Sequence, residues 1–205
     1  MKTIIFDFDG TLVDSLDVLI EAARSLGQEY GIPADTDVAA MRTKSPLHIL
    51  RKELRWSWVK IGRFIRAVRP VVYAGTKRLP IRPGMKRVVE ELKKRYEVGI
   101  LTSNSREVVE AVLRNEGMSV AFVHGGSSLF GKHRAIRSLL KQRGLAERDV
   151  LYIGDEIRDI EACRKAGVRV CAVTWGTNSK RSLEMAKPDF LVDRPEQLKK
   201  IVSSL

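Results

Sequence analysis

The chain has 205 residues, 44% of them apolar, with 37 Lys and Arg against 25 Asp and Glu and a net charge of +12. That length suits one α/β domain, or a domain plus a sizeable insertion. No run of about 18 apolar residues is present to form a transmembrane helix, and the opening MKTIIFDFDG is too short an apolar run for a signal peptide. The two cysteines, Cys163 and Cys171, have no metal-binding spacing and read as core residues, which fits a reducing cytoplasm.

In chain order, TIIFDF (3–8) reads as the first strand, running from apolar residues into Asp7 and Asp9. SLDVLIEAARSLGQEYG follows as a helix that Ser15 caps. LHILRKELRWSWVKIGRFIRAV then places Leu47, Leu50, Leu54, Trp58, Ile61, Ile65 and Val68 at helical spacing, facing inward. Arg51, Arg55, Arg63 and Arg66 lie largely off that face, and Trp56 and Trp58 read as packing residues. No convincing strand interrupts residues 16–79, so this stretch reads as a helical insertion, with Pro80 and Pro83 marking the return. Between Met41 and Arg78 there are eleven Lys or Arg and one acid, Glu53. The basicity is therefore regional: either a solvated helical face or a surface that meets something anionic.

Beyond Pro83, helical patterns at 83–95, 105–117, 132–144 and 156–167 alternate with strand-like runs EVGILT (97–102), VAFVHG (120–125), DVLYIGD (149–155) and VRVCAVT (168–174), and DFLVD (189–193) follows. Several of these runs are continuously apolar, as in strands covered on both faces. The alternation predicts an α/β, doubly wound, Rossmann-like parallel sheet with an inserted α-helical cap domain. The core comprises 1–15 and 80–205, the cap 16–79.

Ligands of such sheets bind beyond the carboxyl ends of the strands. Those ends carry Asp7 and Asp9; Thr102, Ser103 and Asn104; and Asp155, followed by Glu156 and Asp159; Lys132 opens a helix nearby. Period two puts Asp7 and Asp9 on one side of their strand, with Phe6 and Phe8 on the other. Gly10 and Thr11 permit a turn in which a phosphate meets backbone N–H groups. Two carboxylates about 4 Å apart repel by roughly 4 kcal/mol at an effective dielectric near 20, so three cost on the order of ten. A lysine alone does not balance that. A divalent cation does, and an all-oxygen site with open positions favours Mg²⁺. Asn104 reads as a cap for the helix starting near Ser105, Glu156 as a surface residue at a helix start, and His124 and His133 as surface or loop histidines.

DFDGTLVDS, LTSNS, GK and GDEIRD, in this order and spacing, resemble the motifs of the haloacid dehalogenase-like hydrolase superfamily, and the chain looks like its phosphoglycolate-phosphatase-like branch. The resemblance implies Asp7 as a nucleophile that becomes an aspartyl phosphate and Asp9 as the acid and then the base. It implies a metal held by Asp7, the backbone carbonyl of Asp9 and Asp155, with Asp159 in support. Thr102 matches the family's phosphate-binding hydroxyl, with Ser103 beside it, and Lys132 pairs with Asp7 and the phosphate. The chain departs from the family in lacking the proline that often follows this lysine. The activity implied is Mg²⁺-dependent hydrolysis of a small phosphorylated metabolite. Dehalogenation is disfavoured because that branch uses no metal and keeps no acid at the position of Asp9. Two alternatives stand: a sugar-phosphate mutase, and a binding protein whose basic cap, aromatic-interleaved in RKELRWSWVKIGRFIRAVR, docks on nucleic acid or an anionic surface. The complete catalytic set argues against binding as the sole role. The basic face is expected to orient an anionic substrate through Arg51, Arg55, Arg63 and Arg66.

Overall fold

A computed structural model describes residues 3–33, 49–126 and 131–204. The six expected strands form: β1 (Thr3–Phe6), β2 (Glu97–Leu101), β3 (Phe122–His124), β4 (Val150–Gly154), β5 (Arg169–Val173) and β6 (Phe190–Val192). They make one parallel sheet in the order β3-β2-β1-β4-β5-β6. From β1 the chain winds outward through β2 and β3, then returns to β4 on the other flank. The crevice at that reversal opens at the carboxyl ends of β1 and β4.

Both faces of the sheet are covered, which is why its strands are continuously apolar. Ile4, Phe6 and Phe8 pack with Met85, Val89, Val112 and Leu198, from α3 (Met85–Leu92), α4 (Arg106–Asn115) and α8 (Gln197–Ser203). Ile5 packs on the opposite side with Ile136, Leu139, Ile160 and Cys163, from α5 (Lys132–Arg143) and α6 (Ile157–Ala166). The same alternation carries Asp7 to the side of Ile5, toward α5 and α6. Pairing runs one residue past β1, because the Asp7 N–H donates to the Ile153 carbonyl at 2.8 Å. The two cysteines are buried core residues, as expected. A short helix, α7 (Lys180–Met185), and α8 escape a reading by periodicity because each is under two turns long or barely reaches it.

The insertion carries α1 (Leu16–Tyr30) and α2 (Trp58–Thr76), which pack on each other around Ala22, Trp56, Ile61, Phe64 and Val68. Trp56 meets Phe64 edge-on at 5.3 Å. Two expectations are corrected here. The periodic stretch from Leu50 to Val68 is not one helix: a π-helical turn spans Ile49–Glu53, and Arg55 then takes a left-handed φ of 54°. Ser57 caps the new start, its hydroxyl accepting from the Lys60 N–H at 3.2 Å. The break rotates the register, so Trp56 is buried and Trp58 is 56% exposed. Leu47 lies outside the described residues. Ser15 does precede α1, but its side chain makes no capping bond.

The chain leaves and re-enters the core side by side. Val13 bridges Ile81 in antiparallel fashion, and Arg82 pairs with Asp14 at 2.8 Å. Among the described residues, no helix is long and apolar enough to cross a membrane.

Candidate active site

The carboxyl ends of β1 and β4 bring three buried carboxylates together. Asp7, Asp155 and Asp159 each offer an oxygen within 4.8 Å of the others. Asp7 follows β1, Asp155 follows β4, and Asp159 sits in the first turn of α6. Three glycines make the approach possible. A Cβ on Gly10, whose φ is +74°, would stand 2.1 Å from an Asp155 carboxylate oxygen. Cβ atoms on Gly154 and Gly176 would lie 2.4 Å from Asp159 Oδ2 and 2.3 Å from Asp155 Cβ.

Lys132, at the start of α5, reaches into this cluster. Its Nζ donates to Asp7 Oδ2 at 2.6 Å and also to Asp159 Oδ1. Burial disfavours the ammonium, but Asp159 and Asp7 outweigh it and hold its pKa above the ordinary value. The other Asp7 oxygen accepts from the Phe8 N–H at 2.7 Å. Burial is the dominant influence on Asp7 and, with repulsion from Asp159, lifts its carboxyl to about 7 against the opposing pull of Lys132. Asp155 has no cation beside it among the described residues. It accepts from Thr11 Oγ1 at 3.0 Å and the Thr177 N–H at 2.7 Å. Burial, then Glu156, Asp7 and Asp159, push its carboxyl well above the usual range. At 4.8 Å each ionised pair repels by roughly 3.5 kcal/mol for an effective dielectric near 20. One lysine, bonded to Asp7 and Asp159, offsets one of these three charges and does not pair with Asp155. The donor set, all oxygen and short of two positive charges, fits a hard divalent cation.

Asp9 turns away from that cluster. Its carboxylate accepts from Asn104 Nδ2 at 3.1 and 3.3 Å, with Thr102 Oγ1 at 3.5 Å. Burial raises its pKa, opposed by hydrogen bonds from Ser15 and Asn104. Ser15, which does not cap α1, is close enough to Asp9 to favour its charged form. The reading of Asn104 is corrected, since the Ser105 hydroxyl, not Asn104, caps α4 by accepting from the Val108 N–H at 3.3 Å. Thr102 is fully buried and its hydroxyl accepts from the Asn104 N–H at 3.0 Å. Ser103 lies beside it on the cavity wall. Glu156 is likewise corrected: it is 8% exposed, forms a reciprocal capping box with Asp159, and pairs with Arg158 at 2.6 Å. Neither His124 nor His133 joins the acidic cluster.

Asn178 and Thr177 were not singled out from the sequence. Asn178 Oδ1 accepts from the Ile157 N–H at 2.8 Å, and the two residues together brace Asp155 and the start of α6. The signal was present: β5 also ends on a polar run, Thr174 to Ser179.

A cavity of about 470 Å³ opens above these groups, between the insertion and the sheet edge. Its floor includes Asp9, Ser103, Asn104, Lys132 and Arg158. Its upper wall is mostly apolar, with Leu19, Phe64, Val68 and Val72. Arg51, Arg55, Arg63 and Arg66 do not line it; they are exposed elsewhere on the insertion. Of the arginines of the insertion that are described, Arg69 lines it.

The model of the haloacid dehalogenase-like hydrolase family matches residues 4–173. A phosphoglycolate phosphatase of Synechococcus elongatus is 37% identical over 210 residues, covering 100% of this chain and 99% of its own. A second, from Pasteurella multocida, is 31% identical over 94% of each chain. In three dimensions the chain resembles a haloacid dehalogenase-like family hydrolase of Streptococcus pneumoniae, with a TM-score of 0.83, 24% identity and 98% of each chain covered.

Proposed function

The chain belongs to the haloacid dehalogenase-like hydrolase family and is a phosphatase of its phosphoglycolate-phosphatase-like branch; on that premise we propose that it is a Mg²⁺-dependent phosphomonoester hydrolase working through an aspartyl phosphate on Asp7. The observation that carries this reading is the convergence of three buried carboxylates, two of them bonded to one lysine, with a fourth, Asp9, held separately two residues after the first.

Asp7 is immobilised by Lys132 and the Phe8 N–H, which leaves a carboxylate oxygen aimed from the strand end. That oxygen attacks phosphorus and displaces the substrate alkoxide. Asp9, raised in pKa by burial, gives its proton to the departing oxygen. It then takes a proton from the water that cleaves the acyl phosphate, and the pair returns to its starting state. Asn104 and Ser15 orient Asp9 for both transfers. Lys132 and the backbone amides at the Gly10–Thr11 turn receive phosphoryl charge, and Thr102 Oγ1, with Ser103 beside it, supports the same group. Asp7, the Asp9 carbonyl, Asp155 and Asp159 are the residues that would hold Mg²⁺. Bound there, the ion supplies the missing positive charge and polarises a phosphoryl oxygen. Residues 16–79 act as the cap over this floor. Closest to the named relatives, phosphoglycolate is the first substrate to try.

Phosphate release from phosphoglycolate and p-nitrophenyl phosphate is expected with Mg²⁺, to be lost with chelator and restored by excess Mg²⁺. Isomerisation that depends on a bisphosphate, with no net phosphate release, would replace this reading by a mutase.

The acidic cluster also dictates a pH dependence. Asp7 has a folded pKa of about 7 against an ordinary 3.8, so the metal-free fold holds an extra proton between those values. Its stability contribution is full below the lower value and is lost as pH rises through about 7. Mg²⁺ takes the place of that proton. The rise in melting temperature on adding Mg²⁺ is therefore expected to be larger near pH 8 than near pH 5.5, where protons compete. Equal shifts in calorimetry at both pH values would contradict the assignment.

A further inference from the structure

The charge of this chain is concentrated on one part of it. Between Met41 and Arg78, eleven cations against one acid, Glu53, give +10, which leaves +2 for the remainder of a net +12. That density opposes the local fold. Arg51, Lys52 and Arg55 come just before α2, and Lys60 and Arg63 lie in its first two turns, where the helix dipole is positive and acids stabilise. No acid stands in that first turn. Among the described residues, none of these cations, nor Arg66 a turn further on, is in an ion pair.

Apolar surface is exposed at the same place. Trp58 and Val59 open α2 and are 56% and 67% exposed, two of the four large apolar side chains so exposed among the described residues. Val59, Arg63, Arg66 and Pro70 recur at helical spacing and are all exposed, so they form one stripe. Gly62 lies within it, and a Cβ there would meet nothing within 4 Å, so the stripe is open to approach. The Arg51 guanidinium carbon lies 5.4 Å from the centre of the Trp58 ring, which joins the preceding turn to the same patch. None of Arg51, Trp58, Val59, Arg63 and Arg66 lines the cavity.

The cations attract any anionic surface, but the indole and the valine gain only where that surface also offers a place away from water. An anionic lipid bilayer offers both: charged headgroups that arginine pairs with, and a headgroup–acyl boundary that takes tryptophan. A nucleic acid satisfies the cations and stacks on an indole, but gives Val59 no such place. We propose that the outer face of the insertion, carrying Trp58, Val59, Arg63 and Arg66, docks this protein peripherally on an anionic membrane surface, with Trp58 and Val59 entering the headgroup layer. Docking through this face leaves the residues that line the cavity untouched.

The test measures partitioning of the full chain onto large unilamellar vesicles by sedimentation, so no readout involves turnover. Binding is expected on phosphatidylcholine vesicles with about 40 mol% phosphatidylserine at about 0.1 M salt, and is expected to fall steeply by about 0.5 M. Pure phosphatidylcholine should bind at least about 100-fold more weakly. Arg63→Gln/Arg66→Gln should lower the partition coefficient about 30-fold, the scale of two cations at an anionic surface. Trp58→Ser should lower it about threefold to tenfold, since part of the side chain is already buried. Lys94→Gln/Lys200→Gln, which removes the same charge from the core domain, should change it less than about threefold. All of these positions are exposed, so melting temperatures should stay level and report intact folds. Equal losses in the two double variants would reduce the effect to net charge and overturn the patch. No binding to the phosphatidylserine vesicles at about 0.1 M salt also overturns it. Unchanged partitioning in Trp58→Ser overturns the lipid assignment, because charge alone does not distinguish a bilayer from another anion. Tighter binding to a mixed-sequence single-stranded oligonucleotide than to these vesicles, at the same salt, replaces lipid by nucleic acid.

Discussion

Asp7→Asn is expected to abolish phosphate release while leaving the fold intact. The amide is nearly isosteric but far less nucleophilic, so covalent capture of phosphorus fails. The loss should be on the order of 10⁴-fold or more, the scale that follows removal of a covalent nucleophile. The structural cost is small for reasons visible at the site. Asp7 lies in a cluster where burial and Asp159 oppose its ionisation, so neutralising it relieves repulsion. Lys132 keeps Asp159 as its partner, and the amide oxygen still accepts from the Phe8 N–H. In the absence of metal, the melting temperature should stay level or rise, since removing a poorly compensated buried charge can stabilise. Steady-state kinetics and calorimetry on the same preparation check both halves. Turnover within tenfold of wild type would remove Asp7 from the mechanism, and an unfolded variant would show that the cluster is structural.

Asp155→Ala is expected to remove Mg²⁺ binding and activity together. Asp155 is the carboxylate with no cation beside it among the described residues, so it is where a metal has most to offset. Deleting it also leaves Thr11 Oγ1 and the Thr177 N–H without their acceptor, at about 1–3 kcal/mol for each group left dry. The buried charge that disappears offsets part of that cost. Asp155→Asn separates the two effects, because its side-chain oxygen can still accept from one of these donors. Wild type should gain about 2.7 kcal/mol when Mg²⁺ stands at 100 times its Kd. Both variants should lose that gain, and only the alanine should also lower the metal-free melting temperature. A Mg²⁺-dependent shift that persists in Asp155→Ala would place the ion elsewhere.

The regional basicity illustrates how composition and function part company. Eleven cations against a single acid suggested a face that orients substrate. Eight of the nine described cations point away from the cavity, and the mostly apolar wall admits Arg69. Periodicity identified the apolar face of the insertion but not its rotation, because the break at Arg55 exchanged Trp58 for Trp56 in the core. A helix interrupted by one left-handed residue keeps its composition and loses its phase.

By itself the sequence determined the sheet and the chemistry at its edge. Continuous apolar runs mark strands buried on both faces, and Asp7, Asp9, Asp155 and Asp159 were all legible as acids at or just after strand ends, although the alternation that put Asp7 and Asp9 on one side does not carry past β1 to Asp9. Only the tertiary structure decided how those acids divide. Asp7, Asp155 and Asp159 gather at one point, the first and last of them bonded to Lys132, while Asp9 is held aside by Asn104. The reason is physical: strand patterns follow from local alternation and burial, whereas the partner of a hydroxyl or amide at a loop is chosen by whatever distant segment arrives within hydrogen-bond reach. Asn104 stood beside a local helix end that Ser105 caps, and it instead bonds a carboxylate that the fold brought beside it.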